Sequence, residues 1–332
     1  MTELLKIEGL SKDFPITAGL LKSQVGAVHA VDDVSLTLNK GETLGIVGES
    51  GCGKSTLARA VIRLHEPTQG RVFFKGEDFT GLDKQRLKKA RRGMQMIFQD
   101  PYASLNPRMS VGKILEEPFK LHDIGTPAER TGWARELLQQ VGLRADAMAR
   151  YPHEFSGGQR QRIGVARALA LKPELIICDE AVSALDVSVQ SQVLNLLVEL
   201  QRELGLSYLF ISHDLAVVKY ISDRVAVMYL GRVVELATNA ALFKDPRHPY
   251  TRALLTALPV PDPGGRDDSE TLAGDVPSPS DPPSGCHFHT RCKHVEDRCK
   301  QEAPALTPFQ GDADQLVACH RAEELEPDVT LA

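Results

Sequence analysis

The chain has 332 residues, 42% of them hydrophobic and 25% charged, the make-up of a soluble globular protein long enough to bury a sizeable core. A net charge of -5 without long lysine or arginine runs excludes the electrostatic footprint of a nucleic-acid binder. No run of 18 apolar residues offers a membrane span, and Met1–Lys6 lacks the basic start and apolar core of a secretory signal, so a cytosolic chain with room for a peripheral membrane partner is expected.

From Leu4 to Glu42 the chain reads as short strands, with Val28–Leu38 rich in β-branched and apolar residues and closed by the turn residues Asn39, Lys40 and Gly41. The apolar run Leu44–Val47 predicts a buried strand, and a helix-like stretch begins at Leu57. Between them lies Gly48-Glu49-Ser50-Gly51-Cys52-Gly53-Lys54-Ser55-Thr56, which fits the pattern G-x-x-x-x-G-K-[ST] in the strand-to-helix setting that gives it meaning. Glycines let backbone N–H groups turn inward around phosphates, and the helix N-terminus adds partial positive charge. Lys54 is placed to reach the β- and γ-phosphates and the Ser55 hydroxyl to coordinate Mg²⁺.

A strand is predicted over Met94–Phe98. Helical periodicity then governs Leu105–Arg150, where Ala134, Leu137, Leu138 and Val141 share one face. A helix from about Gly157, an apolar strand Leu175–Cys178, a helix through Leu194–Leu200 and a strand Tyr208–Ile211 follow. This alternation argues for a mainly parallel sheet covered on both sides. Val225–Leu236 reads as a hairpin turning at Leu230-Gly231-Arg232, and Thr251–Leu258 as a helix after the turn His248-Pro249-Tyr250. Pro259–Gly285 holds seven of the 20 prolines and reads as an extended linker. No internal repeat is present.

Asp179 and Glu180 end the apolar strand, where ionised carboxylates are costly without a cation nearby. Asp179 suits Mg²⁺ held through water, and Glu180 suits polarising the water that attacks the γ-phosphate; a helix N-cap after a strand is the bland alternative. Phe155-Ser156-Gly157-Gly158-Gln159-Arg160 places two glycines behind a Ser N-cap, opening a helix whose free N–H groups can meet an anion.

With Ser156, Gly157, Gly158 and Gln159 the sequence resembles the ATP-binding subunit of an ABC transporter, whose signature is S-G-G-Q, and the resemblance runs over the whole chain in the family's order. It implies an α/β fold: a P-loop NTPase (RecA-like) core with an antiparallel β-subdomain, a helical insert and a small metal-binding C-terminal extension. The ATPase domain would span 1–258, with the insert at about 100–158, and the linker and extension 259–332. Gln99 falls where the family has its Mg²⁺-contacting Q-loop glutamine, Ser183-Ala184-Leu185-Asp186 where it has the D-loop, and His213 where it has the switch histidine at the γ-phosphate. A lone Gln or strand-end His is more often structural; five motifs in order reverse that reading.

The resemblance further implies that the signature of one subunit closes over the phosphate loop of a second, homologous or identical, ATPase subunit. Two transmembrane permease subunits, docked near Asp100, Pro101, Tyr102, Ser104 and Leu105, would receive the motion, and an external solute-binding protein would deliver cargo through them. The place implied is the cytoplasmic face of a bacterial plasma membrane, without nucleic acid. Two departures stand out. Val25–Ala30 lacks the usual adenine-stacking aromatic, leaving Val28, His29 or Phe14, and Ala181 replaces the proline that follows the two acids.

Pro246–Leu255, the proline-rich linker and the cysteines behind it resemble the C-terminal extension of dipeptide and oligopeptide importers, a tail shared with nickel, glutathione and some oligosaccharide systems. A soluble ABC-type ATPase switch without a permease is the alternative from another class. Cys52 and Cys178 lie within the nucleotide motifs, whereas Cys286, Cys292, Cys299 and Cys319 crowd the last 47 residues with spacing C-x5-C-x6-C-x19-C. In a reducing compartment this suggests a metal centre, which the resemblance tips toward a [4Fe-4S] cluster; Zn²⁺, free thiols and disulfides remain open. The expected role is structural, with His287, His289, His294 and His320 as bystanders or outer donors.

Overall fold

The computed structural model describes residues 2–19, 23–257 and 274–325, and these form two compact units. Unit one takes in Leu38–Thr43 and Phe74–Ser212; unit two takes in Leu5–Thr37, Leu44–Phe73 and the described residues from His213 onward. The strands, in chain order, are β1 (Glu3–Ala18), β2 (Ser23–Asn39), β3 (Thr43–Val47), β4 (Gln69–Phe74), β5 (Glu77–Asp78), β6 (Met94–Ile97), β7 (Leu175–Asp179), β8 (Ser207–Ile211), β9 (Arg224–Tyr229), β10 (Arg232–Thr238), β11 (Thr307–Phe309) and β12 (Asp312–Val317).

In unit one, β6, β7 and β8 pair in parallel, with Met94 opposite Leu175 and Leu175 opposite Ser207. Their continuous apolar runs reflect burial on both faces: Leu175–Cys178 and Tyr208–Ile211 have no exposed surface. Helices Gly157–Leu169 and Val187–Leu204 belong to this unit, as do Val111–Leu121 and Pro127–Gln140 of the expected helical insert. Ala134, Leu137, Leu138 and Val141 are buried, as their spacing predicts. Thr126 starts the second insert helix with a reciprocal cap to Glu129.

In unit two, β3 runs parallel to β9, and β9 turns antiparallel into β10. The turn is the two-residue link Leu230-Gly231, both at positive φ (43° and 81°), the geometry whose twist matches the flanking strands. β1 lies between β2 and β4.

Three sequence expectations need correction. The region 4–42 holds two long strands instead of several short ones. Gly9 and Asp33 sit at positive φ (56° and 52°) inside the strands without ending them. The pairing is mixed instead of mainly parallel, because β10, β11 and β12 add antiparallel strands. The C-terminal extension also supplies strands: β12 pairs with β10, Glu235 opposite Val317 and Leu236 opposite Leu316. The tail therefore obtains its apolar contacts by docking, with Phe309, Val317 and Ala322 packed together against Cys319. Most of the proline-rich linker, 259–273, lies outside the described residues, and 274–285 contains no helix or strand.

Candidate functional site

The residues expected to handle nucleotide divide between the two units. In unit two, the phosphate loop follows β3 and leads into helix Lys54–Val61. Two of its glycines are dictated by backbone contact: a Cβ on Gly48 (φ 151°) would stand 2.2 Å from the Met228 carbonyl oxygen, and one on Gly53 (φ 105°) 2.0 Å from that of Ala30. The β9–β10 turn braces the loop, Gly231 N–H donating to the Cys52 carbonyl at 2.9 Å. Lys54, only 4% exposed, donates its ammonium to the carbonyls of Gly48 (2.7 Å) and Glu49 (2.9 Å) and lies 3.7 Å from Cys52 Sγ. Burial pushes the Cys52 thiol up, so it stays protonated and inert. Ser55 and Thr56 occupy the first helical turn, half-buried.

Of the candidates for adenine contact, Phe14 meets His65 edge-on and carries Lys12 over its face, while His29 pairs with Asp13 at 2.8 Å. Val28 is half-buried and His29 exposed. His213, exposed, belongs to this unit and precedes helix Leu215–Ile221.

In unit one, Asp179 closes β7 fully buried. Glu180 takes the left-handed conformation (φ 49°), rare for a residue with a side chain, while its N–H donates to the Ile211 carbonyl. Held strain of this kind concentrates at working sites. Gln99, two residues beyond β6, donates Nε2 to Glu180 Oε2 at 2.7 Å, so two residues 81 positions apart meet. Ser156 caps helix Gly157–Leu169 in a reciprocal box with Gln159. Both are exposed, whereas Gly158 packs so tightly that a Cβ would stand 2.2 Å from Val189 Cγ1. Asp186 caps the next helix; the Val189 N–H, then the Ser188 hydroxyl, hold its carboxyl below the usual range. Val187 beside it is 80% exposed.

Among the expected docking residues, Asp100 caps the turn Pro101–Ser104 and Tyr102 is 64% exposed with the Arg160 guanidinium over its ring. Leu105, by contrast, is 1% exposed and withdrawn from any partner, a correction with a plain cause: it is apolar and packs inward.

Cys286, Cys292, Cys299 and Cys319 line one cavity in unit two, joined by His248, His289, His294 and His320. Burial pushes Cys286 up to about 11, Cys319 to about 12 and Cys292 upward. Among the described residues, however, no set of three or more His, Cys, Asp or Glu side chains is placed to hold a metal ion, so the expected metal centre, cluster or single ion, is not borne out.

By its sequence His248-Pro249-Tyr250 is an ordinary turn before a helix. His248 does cap helix Pro249–Thr256, but it is fully buried, held near a pKa of about 3 by that burial, and faces the cysteine cavity. The Tyr250 hydroxyl accepts the Glu49 N–H at 2.9 Å. No local signal announces either contact; they arise from residues far apart in the chain.

A model of the ABC transporter family matches residues 31–183, and one described as the oligopeptide/dipeptide transporter C-terminal region matches residues 234–299. A Sinorhizobium fredii protein named "Probable peptide ABC transporter ATP-binding protein y4tS" is 57% identical over 96% of this chain and 89% of its own length. The oligopeptide transport ATP-binding protein AppF of Bacillus subtilis is 54% identical over 96% of this chain and 97% of its own. Among solved structures, the dimeric ATP-binding cassette MJ0796 in a post-hydrolysis state bound to ADP and Pi superposes with a TM-score of 0.63 at 29% identity, over 71% of this chain and 99% of that one. The cbiO1 protein of Clostridium perfringens, part of the transporter complex cbiONQ, gives 0.62 at 27% identity over 73% and 91%. No helix among the described residues is long and apolar enough to cross a membrane.

Proposed function

We infer function from the premise that this chain belongs to the ABC transporter ATP-binding family: it is the ATP-hydrolysing subunit of a peptide importer. The observation that carries the reading is the joint presence of a backbone-built phosphate loop, a capped Ser-Gly-Gly-Gln helix and a tail matching the oligopeptide/dipeptide region. Two permease subunits and a second ATPase subunit complete the assembly. The chain works on the cytoplasmic face of a bacterial plasma membrane, with a solute-binding protein delivering peptide. The ATPase domain reaches to about residue 258 with its insert at about 100–158, followed by the extension to 332. A nickel, glutathione or oligosaccharide cargo is the alternative within the class.

The residue roles follow from chemistry. Gly48 to Thr56 wrap the phosphates, with Lys54 supplying positive charge to the β- and γ-phosphates. Mg²⁺, when bound, neutralises developing phosphate charge; Ser55, Asp179 and Gln99 are the residues suited to hold it. Glu180 orients and polarises the attacking water, and the Gln99 hydrogen bond fixes the carboxylate for that task. His213 senses the γ-phosphate. Ser156 and Gly157, with the exposed Asp186 region, complete the site of the opposite subunit.

Glu180→Gln in the assembled complex is expected to lower ATP turnover about 10³-fold while nucleotide binding persists, measured by phosphate release and by binding of a fluorescent ADP. Parental turnover would overturn the assignment of the base. Import of labelled peptides by the complex in vesicles tests the cargo; uptake of nickel or glutathione in their place selects the alternative, and copurification with ribosomes or DNA instead of a permease rejects both.

The four cysteines are assigned to one [4Fe-4S] cluster, with Zn²⁺ as the alternative. The support is the cavity that all four share and their resemblance to the extension of peptide importers. Protonated, buried thiols would release protons on taking up a cation. Anaerobic purification with iron, sulfide and zinc assays decides: stoichiometric zinc in a colourless preparation removes the iron assignment, and four freely titrating thiols without metal remove the site.

A further inference from the structure

Glu49 is the first variable residue of the phosphate loop, and nothing in the loop pattern demands a carboxylate there. Yet all three of its polar groups are committed. Its carbonyl accepts from Lys54 at 2.9 Å, its N–H donates to the Tyr250 hydroxyl at 2.9 Å, and its carboxylate receives both terminal nitrogens of Arg291, at 2.7 and 3.1 Å. This fork comes from 242 positions along the chain. The Arg291 side chain is 4% exposed and that of Glu49 24%, so the pair is largely withdrawn from water. A bidentate guanidinium–carboxylate pair of that kind sets orientation as well as attraction, and removing one partner leaves the other uncompensated.

Arg291 ends the single helical turn His289–Arg291, directly before Cys292. While its guanidinium reaches the loop, its neighbours Phe288 and Cys292 line the four-cysteine cavity. Phe288 also packs on Tyr229 and Tyr250, with ring centroids 5.3 and 5.4 Å away, so turn, aromatic cluster and phosphate loop form one continuous contact within unit two. A tail needing only a place to rest could dock on any surface. This one grips the residue whose carbonyl holds the loop lysine.

We propose that Arg291 is a positioning residue for nucleotide binding: through Glu49 it sets the phosphate loop, and it makes the loop's affinity depend on the four-cysteine cavity beside it. The proposal rests on the nucleotide-binding reading of the loop. Its state variable is the position of the His289–Arg291 turn, which the cavity residues on one side and Glu49 on the other both restrain.

The test titrates the full-length chain with fluorescent ADP, monitoring thermal unfolding in parallel. Arg291→Ala and Glu49→Ala are each expected to weaken binding about tenfold, and the double variant no more than either alone, since both remove one interaction. Arg291→Lys, which keeps the charge but offers a single contact in place of the fork, should fall between, at about threefold. The paired change Cys286→Ser with Cys319→Ser should weaken binding in the parental chain and have no further effect in Arg291→Ala. Should Arg291→Ala not fold, Glu49→Gln and Arg291→Lys carry the same comparison. Failure of the parental chain itself to bind ADP would sink the nucleotide reading. Parental binding with unchanged affinity in the Arg291 and Glu49 variants, or with additive losses, would sink the positioning role alone. Cysteine variants that act equally with and without Arg291 would sever the link to the cavity.

Discussion

The phosphate loop and the four-cysteine cavity lie in the same compact unit but are built by opposite means. The loop is contiguous: the six residues Gly48–Gly53 join one strand to one helix, shaped by glycines whose missing side chains let backbone meet backbone at Met228 and Ala30. The cavity is assembled from side chains spread over 36 positions of the tail, Cys286 to Arg321, with His248 joining from before the linker. The loop holds its lysine with its own carbonyls, while the cavity is closed by aromatic packing around Phe288 and by β12 pairing with β10. A site made of backbone can be written as a short pattern; one made of distant side chains exists only after the chain has folded.

If the cavity depends on packing, removing the packing should cost most. Phe288→Ala deletes a ring that is 2% exposed and touches Tyr229, Tyr250 and His248, and should destabilise the chain by about 3 kcal/mol or more, read by chemical denaturation. Unchanged stability would break the contrast. For the loop the critical atom is on the backbone: Gly48→Ala must displace the Met228 carbonyl, and is expected to weaken ADP binding about a hundredfold, measured by fluorescence titration, since misplaced phosphate contacts are lost together. Lys54→Ala removes one charged donor and should weaken binding about tenfold to a hundredfold by the same titration. The smallest effect belongs to the loop's own cysteine. Cys52→Ser offers Lys54 an oxygen where sulfur stood at 3.7 Å, and affinity should change by less than about threefold; a larger loss would mean that side chains matter in the loop as they do in the cavity.

Legibility followed the same division. The buried strands around Leu175–Cys178 and Tyr208–Ile211, the insert helices and the Leu230-Gly231 turn were readable because burial on both faces, a 3.6-residue period and a two-residue turn each leave a local mark. The strands β11 and β12 left none. Pro308 and the largely polar Asp312–Gln315 lack strand character; β11 is an edge strand, where a proline is tolerated, and β12 is held by pairing with β11 on one side and β10 on the other. The positive φ of Glu180 was equally hidden, being imposed by its surroundings: its N–H is tied to Ile211 and its carboxylate to Gln99. The family resemblance implies a docking role for Leu105, but its apolar side chain packs inward, 1% exposed.

By itself the sequence determined the glycine-rich turn between β3 and the helix Lys54–Val61, the helical character of the stretch after β6 and the crowding of four cysteines near the end, because each is a matter of residue type at short range. Only the tertiary structure decided that Gln99 meets Glu180, that His248 faces the cysteines, and that Arg291 grips Glu49 from 242 residues away. These contacts join groups whose separation along the chain carries no information about distance in space. They form because burying apolar surface brings their elements together, and buried polar groups must then find partners among whatever neighbours the packing provides.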